Sequence, residues 1–141
     1  MTETVTVEFR DKVEGCAERT RTPHCDVECD SPEPILMSTD RAIHVALMVT
    51  ELVTNSAKHA YPQGQPGRVV VRLTRGDGKT ARITVRDDGG GLPPDFQLGR
   101  GGGLGMRLVM ALSEQTDAVV RVSPVDVGAE FVIELPLEAR Q

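Results

Sequence analysis

Residues 51–59 read ELVTNSAKH and have the residue pattern of a helix that carries a functional site. Its polar residues are spaced three or four positions apart, so they fall along one stripe of an α-helix. These residues are Glu51, Asn55, Lys58 and His59. The other side of the helix is predicted to face a sheet and presents Ala46, Val49, Leu52, Val53 and Ser56. Taken alone, such a stripe is also typical of a solvated helix face.

Three features of the stripe favour a binding site over a solvated face. The stripe is narrow and has apolar flanks, and it holds an Asn in mid-helix, where Asn is a poor helix former. Its residue types also suit one task. The amide oxygen of Asn55 can ligate Mg²⁺, the carboxylate of Glu51 can orient or deprotonate a nucleophile, and the ammonium group of Lys58 can neutralise phosphate.

The sequence around this helix predicts a single mixed domain. Ser38 or Thr39 can cap the helix, which is predicted over residues 42–60 and ends before Pro62. Strands are predicted over residues 4–9, 26–30, 35–37, 68–74, 81–86, 118–122 and 129–135, with a hairpin turn at residues 75–79 and further helices over residues 10–21 and 104–115. This order predicts an α+β two-layer sandwich, with helices on one face of a mixed, mainly antiparallel sheet. Residues 1–34 are expected to form an N-terminal arm, helix and strand, and residues 35–137 the core of one domain over residues 1–141.

Composition limits the classes of function. A chain of 141 residues with 39% hydrophobic residues can bury a core without metal or disulfide support. With no Trp, one Tyr and three Phe, that core must be aliphatic. The net charge of −5 argues against a nucleic-acid-binding protein, which needs a basic surface. It does not exclude a phosphate ligand, since backbone N–H groups and one Lys make a locally positive pocket.

The cysteines and the hydropathy pattern indicate a cytoplasmic chain. Cys16, Cys25 and Cys29 are an odd set and a poor disulfide framework. His24 stands beside Cys25 as in some metal clusters, but Cys25 and Cys29 would be about 13 Å apart on a strand with roughly 3.3 Å per residue. We therefore expect reduced thiols. No apolar run reaches about 18 residues and no signal-peptide pattern is present, so we expect no membrane contact.

Two glycine-rich segments follow the central strands. Residues 87–93 read DDGGGLP, where a carboxylate at a strand end can accept a hydrogen bond from an exocyclic amine, although a plain Asp-Gly turn has the same residues. Residues 99–106 read GRGGGLGM and lead into a helix, whose free N–H groups and dipole favour phosphate, although a flexible linker looks similar. The second segment lacks the ending of a P-loop and does not follow a strand as a dinucleotide fingerprint does.

In this order the three segments resemble the Bergerat-type (GHKL) ATPase family of histidine kinases, gyrase-type topoisomerases, mismatch-repair ATPases, Hsp90-like chaperones and anti-sigma serine kinases. Residues 51–61 are similar to the family's Asn box, residues 87–91 to its Asp-x-Gly-x-Gly box and residues 101–105 to its second glycine box. Within the family, ELVTNSAKHAY and the tail GAEFVIELP at residues 128–136 look most like short-lid (HWE/HisKA2-type) bacterial histidine kinases.

The resemblance implies a Bergerat ATP-binding fold that uses ATP and Mg²⁺. It implies that Asn55 ligates Mg²⁺, that Glu51 is catalytic and acts on water or the acceptor nucleophile, that Lys58 contacts phosphate, and that Asp87 binds the adenine amine. The nucleotide-binding residues that it implies are Asn55, Lys58, His59, Asp87, Gly89, Gly91, Leu92, Gly101, Gly103, Leu104 and Gly105.

Two departures from the family pattern affect these expectations. Ala129 stands where the family often has a Thr that helps to hold the water network of the adenine site, so its presence is expected to weaken binding. The lid between Gly91 and Gly101 is also very short and is expected to cover the nucleotide incompletely.

No histidine of this sequence is a good phosphate acceptor. His24, His44 and His59 are not at the start of a two-helix hairpin with apolar heptads. The resemblance therefore implies a histidine kinase catalytic domain that phosphorylates a histidine on a separate dimerisation segment, and that acts on a response regulator indirectly. Two alternatives remain: an anti-sigma-type serine/threonine kinase acting on a partner protein, and a nucleotide-binding module without catalysis.

Overall fold

The computed structural model describes residues 2–4, 25–30, 35–59, 67–76, 79–90 and 103–137. The elements in chain order are β1 (Thr2–Thr4), β2 (Cys25–Asp30), β3 (Leu36–Ser38), α1 (Thr39–His59), β4 (Gly67–Arg75), β5 (Thr80–Asp87), α2 (Gly103–Gln115), β6 (Val119–Ser123) and β7 (Ala129–Pro136). The predicted helix over residues 10–21 lies outside the described residues, and the predicted strand over residues 4–9 overlaps β1 only at Thr4. No helix among the described ranges is long and apolar enough to cross a membrane.

A five-stranded sheet forms one layer of the fold, with the strand order β2-β4-β5-β7-β6. The β2–β4 pair is parallel, and the β4–β5, β5–β7 and β7–β6 pairs are antiparallel. A separate two-stranded sheet pairs β1 with β3 just before α1 begins. The predicted α+β class with a mixed, mainly antiparallel sheet is therefore confirmed.

Alternation along the strands determines which face of the sheet is covered. In β4 the side chains of Val69, Val71 and Leu73 are buried, while those of Arg68 and Arg72, which alternate with them, are exposed. Since successive strand residues point to opposite faces, one face carries apolar side chains and the other carries charge. The helices cover the apolar face and bury an aliphatic core in which Phe131 is the one aromatic residue among those described.

Hydrogen bonds of the backbone and of the side chain of Arg41 hold the first turn of α1 in place. The backbone N–H of Arg41 donates to the hydroxyl of Ser38 at 3.3 Å, which identifies Ser38 as the capping residue. The guanidinium group of Arg41, which is only 8% exposed, donates to the carbonyl oxygens of Thr116 at 2.7 Å and Pro136 at 3.0 Å. Arg41 thus joins the start of α1 to the end of α2 and the end of β7.

The end of α2 sets the start of β6. The N–H of Ala118 donates to the carbonyl oxygen of Ser113 at 2.8 Å, and that of Asp117 to Glu114 at 3.4 Å, with Asp117 at a φ of 56°. This pair of bonds is a Schellman motif. Because it uses the N–H of Ala118, the strand predicted over residues 118–122 begins one residue later, at Val119.

Candidate functional site

The N-terminus of α2 packs directly against the polar stripe of α1. A Cβ atom built on Gly105 would lie 2.5 Å from Oε2 of Glu51 and 4.0 Å from Oδ1 of Asn55. Both of these side chains are half-buried. The carboxylate and the amide oxygen therefore meet at the first turn of α2, and a side chain at position 105 would displace the carboxylate of Glu51.

This meeting follows from the antiparallel packing of the two helices. Arg41 fixes the start of α1 beside Thr116 at the end of α2. The later residues of α1, Glu51 and Asn55, consequently lie beside the beginning of α2 at Gly105. The first turn of a helix has backbone N–H groups without intrahelical partners, and the first turn of α2 contains no acidic residue. A half-buried carboxylate and amide thus face a helix end that favours anions.

A second polar cluster surrounds Asp87 at the end of β5. The side chain of Asp87 is only 3% exposed. Its carboxylate accepts a hydrogen bond from the N–H of Gly89 at 3.0 Å, from the hydroxyl of Ser56 and from the backbone N–H of Ala129. Burial raises the pKa of Asp87 above its ordinary value of 3.8, an effect that Asp88 reinforces and the three hydrogen bonds oppose.

Gly128 brings β7 close enough to complete this second cluster. It has a φ of 77°, and a Cβ atom at this position would overlap the carbonyl oxygen of Asp87. Ala129 then pairs with Asp87 across the two strands. A residue with a side chain at position 128 would both strain the backbone and push β7 away from Asp87.

The two clusters are joined through consecutive residues of α1. Asn55 belongs to the first cluster and Ser56 to the second, so consecutive residues of α1 take part in both clusters. Together the two clusters offer a buried acceptor at Asp87 and free N–H groups at the start of α2.

The remaining predicted residues that the structure describes lie on α1, in the turn after β5 and at the start of α2. Lys58 and His59 form the end of α1, Gly89 lies in the turn after β5, and Gly103 begins α2. The side chain of Leu104 is 83% exposed in the first turn of α2. The predictions for Gly91, Leu92 and Gly101 lie outside the described residues.

Two residues of the site were not predicted to take part in it. Ser56 was expected only to face the sheet; the available signal was a hydroxyl group on an otherwise apolar helix face. Gly128 was part of the GAEFVIELP tail, but its closeness to Asp87 depends on the pairing of β5 with β7.

The comparisons agree on one family. Residues 40–139 match the family described as histidine kinase-, DNA gyrase B-, and HSP90-like ATPase. The match covers well over half of the chain, which therefore belongs to this family, and the predicted resemblance is confirmed.

Two curated relatives and one solved structure illustrate the similarity, and all three are histidine kinases by name. Blue-light-activated histidine kinase 2 of Erythrobacter litoralis is 32% identical over 102 residues, 72% of this chain and 30% of that protein. Sensor histidine kinase PdtaS of Mycobacterium tuberculosis is 32% identical over 108 residues, 74% of this chain and 21% of that protein. The histidine kinase domain of an Erythrobacter litoralis blue-light-activated histidine kinase has a TM-score of 0.84 at 25% identity, covering 95% of this chain and 61% of that one. This chain thus spans less than a third of the length of these two curated relatives.

Proposed function

We propose that this chain is the ATP-binding catalytic domain of a histidine kinase and that it transfers the γ-phosphate of ATP to a histidine on a separate dimerisation segment. The observation that carries the proposal is the junction of the two clusters at Asn55 and Ser56 in a chain of this ATPase family. One cluster suits the base of the nucleotide, and the other suits its phosphates. The phosphate transfer is expected to take place in the cytoplasm, where ATP is available.

The proposed roles follow from the chemistry of each cluster. Asp87 is a buried acceptor and would bind the exocyclic amine of adenine. The N–H groups at the start of α2 would bind phosphate oxygens, and Lys58 would neutralise their charge. Residues proposed to contact the nucleotide are Asn55, Lys58, His59, Asp87, Gly89, Gly91, Leu92, Gly101, Gly103, Leu104 and Gly105.

The residues present fit Mg²⁺ held jointly by protein and nucleotide. No group of three or more His, Cys, Asp or Glu within the described ranges is arranged as a metal site. Mg²⁺ does not require such a group, since it usually keeps several waters and binds through one or two protein ligands and substrate phosphates. The amide oxygen of Asn55 would be that ligand, beside the carboxylate of Glu51. When bound, the ion would offset charge on the phosphate oxygens.

Glu51 is the proposed catalytic residue. The bond between the γ-phosphorus and its bridging oxygen breaks, ADP leaves, and a phosphorus–nitrogen bond forms with one imidazole nitrogen of the acceptor. The carboxylate of Glu51 accepts the hydrogen bond of the other imidazole N–H, which aims the ring, and then takes its proton as positive charge develops. Positioning and charge stabilisation supply most of the catalysis in such transfers.

The acceptor histidine is proposed to lie on another segment. His44 is half-buried in α1, and His59 ends the same helix that would carry the nucleotide ligands. Neither is on a two-helix hairpin. A response regulator would then receive the phosphate from the acceptor segment rather than from this chain.

A direct test combines nucleotide binding with phosphate transfer. The purified chain is titrated with ATP by calorimetry with and without Mg²⁺, and is then incubated with γ-labelled ATP and separately purified dimerisation segments. We expect Mg²⁺-dependent binding and acid-labile phosphate on those segments. A matched segment with its acceptor His changed to Gln should remain unlabelled.

The other outcomes contradict the proposal in distinguishable ways. Acid-stable phosphate on a partner serine would support the anti-sigma-type kinase instead. Binding of Mg-ATP without transfer to any acceptor segment would support a module without catalysis. Absence of ATP binding would contradict all three functions.

A further inference from the structure

Arg41 is a buried cation whose partners are backbone carbonyl groups. Its side chain is only 8% exposed, and Nη1 of the guanidinium group donates to the carbonyl oxygens of Thr116 at 2.7 Å and Pro136 at 3.0 Å. No carboxylate within the described ranges forms an ion pair with it. Burial of a charge is costly unless hydrogen bonds and opposite charge offset it. The two carbonyl groups must therefore provide that compensation.

The carbonyl end of α2 is suited to this cation. The last carbonyl groups of a helix have no N–H partner within the helix, and they carry the negative end of the helix dipole. Thr116 follows directly after α2 and is only 1% exposed, so water does not replace a missing donor there. The last turn of α2 contains no basic residue of its own. Arg41 thus supplies, from α1, the cation that α2 lacks.

The hydrogen bond between Arg41 and Thr116 also fixes where α2 lies along α1. Among the described elements, α2 packs mainly against α1 and then against β6. Apolar contacts are non-directional, so they hold the two helices together without setting their relative position along the axis. A short hydrogen bond has a defined length and direction. Because Pro136 ends β7, the second bond of Arg41 joins the two helices to the sheet as well.

A movement of α2 at its carbonyl end would be carried to its first turn. Gly105 lies about 16 Å along the helix from Thr116, at roughly 1.5 Å per residue. A Cβ atom on Gly105 would lie only 2.5 Å from Oε2 of Glu51, so the two residues are in close contact. Packed helices move past each other by small sliding shifts. A slide of about 1 Å would misplace the N–H groups of the first turn relative to Glu51, and errors of this size are costly at a reacting centre.

We propose that Arg41 is a positioning residue for the phosphates of ATP. By holding the carbonyl end of α2 against the start of α1 and the end of β7, it places the first turn of α2 beside Glu51 and Asn55. Arg41 itself does not touch the nucleotide and acts through α2. This inference rests on the proposed function, because it assumes that the first turn of α2 binds phosphate.

The test compares a ligand that has phosphates with one that has none. The affinity of the full chain for Mg-ATP is measured by calorimetry, and that for adenosine by NMR titration. Arg41→Met keeps an apolar stem and removes both donated hydrogen bonds. It should weaken binding of Mg-ATP about ten-fold, the effect of one lost hydrogen bond to a charged group, and leave binding of adenosine nearly unchanged. At saturating ATP, phosphate transfer should slow by about 10- to 100-fold.

Three further variants separate positioning from general damage. Arg82→Met controls for the loss of charge, since it removes an exposed guanidinium group 3.4 Å from Glu134 on the outer face of the sheet. Val132→Ala controls for lower stability, since Val132 is 2% exposed but is not part of the core beneath the helices. Both controls should keep the unmodified ratio of the two affinities. Arg41→Lys, which keeps a cation able to donate to both carbonyl groups, should retain that ratio within about three-fold.

Thermal unfolding of each variant identifies any that does not fold. If Arg41→Met fails to fold, Arg41→Gln takes its place, since its amide is shorter and uncharged but can still donate one hydrogen bond. An unchanged ratio of affinities in the folded variant, or an equal fall of the ratio in Val132→Ala, would overturn the role of Arg41 while leaving Mg-ATP binding intact. A folded Arg41→Lys that has lost the ratio would contradict the role of the two hydrogen bonds. Failure of the unmodified chain to bind Mg-ATP would overturn the proposed function itself.

Discussion

Gly105 and Glu51 lie so close that a Cβ atom at position 105 would stand 2.5 Å from Oε2 of the carboxylate. The two residues are far apart in sequence, and the antiparallel packing of α1 and α2 brings them together. The contact involves the free end of a flexible side chain rather than backbone. A methyl group at position 105 would therefore move the carboxylate of Glu51 without forcing the helices apart.

Gly105→Ala is consequently expected to damage transfer more than folding. A displacement of about 1 Å at a reacting group can lower a rate roughly 100-fold, so we expect phosphate transfer to fall by about 10- to 100-fold. Gly76→Ala is the matched control, because a Cβ atom there would lie 2.5 Å from Oγ1 of Thr80 in the β4–β5 hairpin, outside the site. Equal loss of transfer in both variants would contradict a specific role for the Glu51 contact.

The role of Glu51 itself is tested by Glu51→Gln, which keeps the size of the side chain and removes its charge. The variant cannot take a proton from the acceptor, so transfer should be lost while Mg-ATP affinity stays within about three-fold of the unmodified chain. The measurements are calorimetry with Mg-ATP and single-turnover labelling of the acceptor segment. Retained transfer would show that Glu51 has only a structural role.

Asn55→Ala addresses the proposed metal ligand. Removal of the amide oxygen should abolish the difference between ATP affinities measured with and without Mg²⁺, because the protein would no longer contact the ion. Affinity in the absence of Mg²⁺ should change much less, since Asp87 and the start of α2 are intact. A variant that binds Mg-ATP as tightly as the unmodified chain would disprove the ligand assignment.

The sequence predicted the elements of this fold better than the contacts between them. The apolar spacing of α1 and the alternation in β4 and β5 are local patterns, and those elements were confirmed. The contact of Ser56 with Asp87 depends on where β5 ends relative to α1, and local spacing does not contain that information. The hydrogen bonds of the buried Arg41 guanidinium group were not predicted for the same reason, since its partners Thr116 and Pro136 are set by the tertiary structure.

The residues of the site likewise include some that the sequence indicated and some that only the tertiary structure revealed. Asn55 stands out because Asn is a poor helix former, and Glu51, Asn55 and Asp87 together with the glycine segments are similar to known motifs. Gly128 does not stand out locally, because its requirement arises from the backbone of β5 passing beside it. The sequence thus indicated which groups carry chemistry, and the pairing of strands and helices determined which of them meet.

Asp87→Asn is expected to reduce the affinity for ATP. Loss of a hydrogen bond to a charged acceptor typically costs about 1.5–3 kcal/mol, which corresponds to a roughly 10- to 100-fold weaker complex. Binding of purine riboside triphosphate, which lacks the exocyclic amine, should change less. Calorimetry that finds the same ATP affinity in both proteins would contradict the assignment of Asp87 to the adenine amine.

The same variant gives a prediction for stability as a function of pH. Burial raises the pKa of Asp87 above 3.8, so between that value and its native pKa the folded chain binds more protons at this group than the unfolded chain. The contribution of Asp87 to the free energy of unfolding therefore falls as the pH rises through this window, and is constant above it. Asp87→Asn has no such group, so the unmodified chain should lose stability relative to the variant as the pH rises. Urea unfolding of both proteins across the acidic range measures this difference.

The pKa of Glu28, lowered mainly by its hydrogen bond with Arg68, gives the opposite slope, but Glu28 is present in both proteins and its effect cancels. A difference that is independent of pH, or that favours the unmodified chain as the pH rises, would show that Asp87 is not destabilised by its burial.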